Sequence, residues 1–163
     1  MTEKTLSRRS VVKGAAWTVP VIAATVAAPF AAASTSDVGA FRLQGTCGVP
    51  GFLGPGFVLS SSADTALPVG TSVRINGSGV ADIGVFSVTG GTASVTVLSG
   101  TSRLITLTSA LPAGSTMELR TTLSISVTFT MTAETELPAG YAADAGAKPN
   151  GTINSNTALC SAT

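Results

Sequence analysis

After residue 34 the apolar and polar positions of the chain alternate with period two over several short runs. No stretch there follows a 3.6-residue helical period with caps. The clearest run is LSISVTFTMT at 123–132, in which every odd position is apolar and every even one is Ser or Thr. Such a pattern predicts a strand with one buried face. Upstream, residues 85–89 and 93–98 flank Gly90-Gly91, a dipeptide that predicts a tight hairpin. A turn through Ser99-Gly100-Thr101-Ser102 then leads into a further alternating run at 103–108. GFVLS at 56–60 and TSVRI at 71–75 read as earlier strands, and 151–159 as a weaker last one.

About seven short strands separated by Gly, Ser, Thr and Pro predict an all-β fold, an antiparallel β-sandwich of Ig-like architecture. A small β-barrel is the alternative. The Cys-Trp-Cys mark of immunoglobulin domains is absent, so "Ig-like" refers to architecture alone. A short motif recurs as Leu67-Pro68-Val69-Gly70, Leu111-Pro112-Ala113-Gly114 and Leu137-Pro138-Ala139-Gly140. It differs from the sortase signal L-P-x-T-G in lacking Thr fourth and Gly fifth. The expected role is a corner: Leu enters the core, Pro fixes φ, and Gly permits the turn.

Charge changes the picture at the amino terminus. Lys4, Arg8, Arg9 and Lys13 are four of the nine basic residues of the 163-residue chain. They precede a small-residue apolar stretch from Gly14 to Ala28, and then Pro29, Phe30 and the run Ala31-Ala32-Ala33-Ser34. Charged, apolar and small-residue parts in that order predict a helical secretory signal over 1–33, with cleavage around Ala31, Ala33 and Ser34. Ser7, Arg8, Arg9 and Lys13 match the twin-arginine pattern S-R-R-x-F-L-K, an address for export of folded proteins, with Val11 and Val12 in place of Phe and Leu. An ordinary Sec signal and an uncleaved membrane anchor are the competing readings. The expected organisation is the signal (1–33), a Gly/Pro-rich lead-in (34–55) and the sandwich (56–163).

Without residues 1–33, five basic residues face seven acidic ones, a net charge of −2 (5 − 7), and the only tryptophan, Trp17, is gone. No basic patch remains, which argues against nucleic acid or anionic lipid as partners. Cys47 and Cys160 are an even pair in an exported chain and predict a disulfide; two free buried thiols are the alternative. No metal and no cofactor are expected, since two distant thiols without histidine make a poor ligand set. His-dependent nucleophilic catalysis is ruled out by the lack of any His. Glu134 and Glu136 are the one carboxylate pair placed to face the same way on a strand, but only Tyr141 lies near them as a sugar platform. An exposed strand end kept soluble by charge is the favoured reading. Ser124, Ser126, Thr128, Thr130 and Thr132 form a candidate polar face, with Thr106 and Thr108 alongside; regular Thr arrays bind ice or repetitive glycans and also occur on ordinary solvent-facing strands.

The twin-arginine start, the LPxG corners and the segment GSGVADIGVFSVTGG together resemble small exported Ig-like β-sandwich proteins of high-GC Gram-positive bacteria. That resemblance implies location and fold and carries over no catalytic residue. The expectation is a non-catalytic structural protein of the cell envelope or extracellular space that self-associates. A secreted binding module for a cell-wall glycan or protein partner is the alternative. The export machinery is the one partner implied by the signal itself, and contact with the membrane is transient unless the signal is kept.

Overall fold

The computed structural model describes residues 34–49, 52–157 and 159–163. The signal-peptide reading, with Ser7, Arg8, Arg9, Lys13, Ala31 and Ala33, lies outside the described residues; Ser34, the first of them, is exposed. Among the described residues there is no helix, and the fold is an antiparallel β-sandwich. In chain order its strands are β1 (Ser36–Asp37), β2 (Arg42–Thr46), β3 (Gly56–Ser60), β4 (Ser72–Ser78), β5 (Phe86–Thr89) and β6 (Ala93–Ser99). There follow β7 (Ser102–Leu107), β8 (Thr116–Thr121), β9 (Phe129–Glu136), β10 (Tyr141–Ala142), β11 (Asn150–Asn156) and β12 (Leu159–Ala162).

A short sheet runs β2-β3-β8-β5 and a long sheet runs β12-β11-β9-β4-β7-β6, while β1 and β10 form a small parallel pair. The short sheet takes the A-B-E-D order of an Ig sandwich, and β4, β9 and β11 take the places of C, F and G. The β6–β7 hairpin is inserted between the D and E equivalents and extends the long sheet beyond β4, and β12 extends it beyond β11. Inward positions alternate as the pleat requires: Leu43, Phe57, Leu59, Met117 and Leu119 from one sheet meet Val73, Ile75, Ile105, Met131 and Ile153 from the other, all essentially inaccessible to water. Four of the five phenylalanines after residue 34 join this core, and Phe52 is exposed.

Four sequence expectations need correction. The alternating run at 123–132 is a strand only from Phe129, and the strand continues to Glu136 instead. The reason is the lack of a ladder partner: β4 ends at Ser78 opposite Thr130, and Gly79 at φ 83° turns that chain away. Residues 122–128 therefore loop, with Val127 N–H donating to Ser124 O and Ser155 Oγ donating to Ile125 O at 2.8 Å. Second, Gly90-Gly91 makes no hairpin, because β5 pairs with β8 and β6 with β7, so the dipeptide is a corner between sheets. Third, 34–55 is more than a lead-in: β2 pairs with β3 along its whole length and buries Leu43. Fourth, Thr116–Thr121 adds a strand, β8, to those the alternating runs predict: Glu118 and Arg120 on its outward positions mask the inward Met117 and Leu119.

The LPxG corners behave as expected. In each, the residue after Gly donates its N–H to the Pro carbonyl (Thr71 to Pro68, Ser115 to Pro112, Tyr141 to Pro138; 3.1–3.2 Å), and Gly70, Gly114 and Gly140 have φ of 87°, 68° and 86°. A turn with positive φ at its third residue selects glycine there. Leu67 and Leu111 are fully buried and exchange two backbone hydrogen bonds of 3.0 Å, so two of the corners brace each other.

One buried group is unsatisfied. Thr135 on β9 points inward, and its Oγ1 is, among the described residues, the buried side-chain polar atom without a hydrogen-bond partner. Removing that hydroxyl while keeping the β-branched shape gives the expected outcome for Thr135→Val: a gain of about 1 kcal/mol in urea-denaturation stability, the cost of burying an unpaired hydroxyl.

Candidate functional site

The outward face of the long sheet gathers the polar residues that the pattern singled out, but not all of them. Thr130 and Thr132 lie on β9 and point outward, followed on the same face by Glu134 and Glu136. Ser124, Ser126 and Thr128 are exposed but belong to the 122–128 loop, so the five do not form one strand face. Thr106 is on this outer face, two strands away, opposite Ser72, which is in turn opposite Glu136. Thr108 follows β7 in a bend.

Cross-strand register sorts the face into rows. Asn154, Thr130 and Ser78 form one, Thr152, Thr132, Asn76 and Ser102 the next, and Asn150, Glu134, Arg74 and Leu104 a third. Neighbours within a row are about 4.8 Å apart and successive rows about 6.7 Å apart, giving a near-rectangular grid whose first two rows are hydroxyl and amide groups. Thr130 Oγ1 donates to Asn154 Oδ1 at 2.9 Å and Ser102 Oγ to Asn76 Oδ1 at 2.8 Å. Both asparagines thus use their side-chain carbonyl oxygen within the sheet. An open depression of about 240 Å³ lies among Arg74, Asn76, Thr132, Glu134, Asn150 and Thr152. It offers a cation, a carboxylate, amides and hydroxyls on one shallow surface. Sequence reasoning found Thr132 and Glu134; it missed Arg74, Asn76 and Asn150, which only strand order brings beside them.

At the side of the sandwich, Cys47 and Cys160 form the expected disulfide, with Cα atoms 5.9 Å apart and a sequence separation of 113. It joins the end of β2 in the short sheet to β12 in the long one. The same side carries backbone links between the sheets: Leu43 N–H donates to Lys148 O (2.8 Å), Lys148 N–H to Phe41 O (2.9 Å) and Gly45 N–H to Thr163 O (2.9 Å). The outward N–H groups of Leu43 and Gly45 on the β2 edge are therefore both used. Such a disulfide belongs to an oxidising environment.

The opposite side is different. The β6–β7 turn is held from below by Arg103, a buried guanidinium whose Nη1 donates to the carbonyls of Ser99, Gly100 (3.2 Å) and Ser102 (3.1 Å). Its Nη2 donates to Gly84 O (2.9 Å) and to the Asp82 carboxylate (3.1 Å). Every donor aimed at the turn is thus matched, and a charge is kept inside without being stranded. Beyond this clamp β6 has, among the described residues, no further strand neighbour. Another open cavity, of about 400 Å³, lies at the loop end of the sandwich, where Val49, Leu53 and Pro55 face Leu123 and Ile125.

No protein-family model, no curated protein and no solved structure matches this chain.

Because the disulfide closes a loop between cysteines 113 positions apart, reducing it is expected to lower unfolding stability by up to about 4–5 kcal/mol through added unfolded-state entropy. Urea titrations of oxidised protein, and of protein reduced and alkylated at both cysteines, read that difference directly.

Proposed function

We propose that the protein is an exported, non-catalytic structural component of the cell envelope or extracellular space that associates with copies of itself. The observation that carries this reading is the uncharged, unguarded edge of the long sheet at β6. Its sequence, ASVTVLS, contains no Lys, Glu, Asp or Pro, and it is exposed along six of its seven residues. Natural monomers usually blunt such an edge with charge or proline, because its free backbone groups recruit other strands. The disulfide and the twin-arginine-like start support the compartment: an oxidising space outside the cytoplasm, reached through the export machinery.

A second reading is favoured by the depression around Arg74 and Glu134: a secreted module that holds a cell-wall glycan against the hydroxyl and amide grid. Flat polar grids of this kind suit repetitive sugars, and single substitutions on the face would weaken binding with little effect on the fold.

The test is the intact mass of the native protein, recovered separately from culture medium and from washed envelope, before and after reduction and alkylation. The structural reading expects a chain lacking residues 1–33, lighter by two hydrogens than its reduced form, and found mainly in the envelope. The same species free in the medium, retained on purified cell-wall polysaccharide and released by Arg74→Ala, would instead support the binding module. Uncleaved, reduced protein in the membrane would contradict both.

A further inference from the structure

Antiparallel ladders fix which backbone groups of an edge strand are free. Thr108 N–H donates to Thr92 O at 3.0 Å, which makes this pair a hydrogen-bonded one at the start of the β6–β7 ladder. Alternation then directs Ser94 and Thr96, opposite Thr106 and Leu104, inward to β7. The same alternation turns the N–H and C=O of Ala93, Val95 and Val97 outward to the open edge. These three residues also share a side-chain face, the one directed toward the sandwich interior. Yet β6 overhangs the short sheet, so Val95 and Val97 remain 37% and 66% exposed there, with Leu98 at 46% beside them.

Building on the proposed self-association, we infer that β6 is its interface, and that the occupant of the edge is β6 of a second copy, antiparallel and centred on Val95. In that register Val95 faces its own symmetry mate, and Ala93 faces Val97 in both directions. Each of the three pairs has its free N–H and C=O aligned for two hydrogen bonds. A two-fold interface must be self-complementary, and this one is: a donor-and-acceptor pattern symmetric about one residue, no charge to repel its copy, and overhanging valines that cover each other's exposed face. The two long sheets become one continuous sheet across the dimer. The other candidate edges fit less well. β2 already gives its outward N–H groups, those of Leu43 and Gly45, to Lys148 and Thr163, β5 has only four residues, and β12 is four residues long and tied by the disulfide to Cys47 just after β2. The register shift between Val97 and Ser99 ends the usable stretch at Val97. One strand pair and a few valines bury less than the roughly 800 Å² per partner of standard interfaces, so the dimer is expected to be concentration-dependent.

Sedimentation velocity on the oxidised chain, in the processed form the cell yields, tests this over a range of about 10 μM to 1 mM. The wild type is expected to shift from monomer to dimer. Val95→Lys, which puts a charge at the two-fold, is expected to weaken the dimer about tenfold or more. Leu159→Lys, at the far edge of the same sheet, is expected to leave it unchanged. A wild type that stays monomeric throughout overturns the inference, and the location of the protein in the envelope is then judged by mass and fractionation alone. Association that survives Val95→Lys, or is lost in Leu159→Lys, overturns β6 as the interface but leaves self-association standing. Should Val95→Lys fail to fold, amide exchange of the wild type decides. Protection of Ala93, Val95 and Val97 that grows with concentration supports the interface, and protection independent of concentration contradicts it.

Discussion

A β-sheet leaves two rows of backbone donors and acceptors unpaired, one at each edge, and the disposal of those rows organises this molecule. On one side of the sandwich the short sheet's row is used in part internally. Phe41, Leu43 and Gly45 bond to Lys148 and Thr163, and the Cys47–Cys160 disulfide fastens the two sheets at the same place. On the other side the sheets part company at the Gly90-Gly91 corner, and β6 is left beyond its last neighbour. A seven-strand Ig order needs no such strand. The inserted β6–β7 hairpin creates the open edge, and a buried arginine is spent on keeping it in place.

That arrangement separates holding from presenting. Arg103 binds the β6–β7 turn and the 82–84 loop through four carbonyls and one carboxylate, so the hairpin is a fixed projection of the core. The LPxG corners reverse the chain, with glycine at the turn position that needs positive φ. Between them the core supplies ordinary hydrophobic stability, and the disulfide adds to a domain of modest size. The polar grid on the long sheet and the bare edge of β6 are two of the surfaces the described residues present outward.

Much of this was legible in the chain. Period-two alternation identified the all-β class and located most of the strands, the repeated Leu-Pro-x-Gly identified corners, and two cysteines in an exported-looking sequence identified the disulfide. What alternation could not supply was partnership. Leu123 to Val127 alternate as well as Phe129 to Ala133 do, but only the latter have β4 and β11 beside them. Gly90-Gly91 carries the local chemistry of a hairpin, yet its flanking strands belong to different sheets, a choice made by long-range packing. Charges on the outward positions of β8 hid a strand whose inward side is fully buried. The candidate face was half visible for the same reason. Thr132 and Glu134 are neighbours in sequence, whereas Arg74 and Asn150 join them only through register.

The asymmetry between a sealed and an open side can be read in one experiment: residue-resolved amide hydrogen exchange of the oxidised protein at a concentration low enough for monomer. The amides of Leu43 and Gly45 on β2 should exchange slowly, with those of Ser94 and Thr96, while Ala93, Val95 and Val97 exchange faster by about tenfold or more. Slow exchange at all three β6 positions in the dilute monomer would mean that this edge is already covered from within the chain, and the open side described here would not exist.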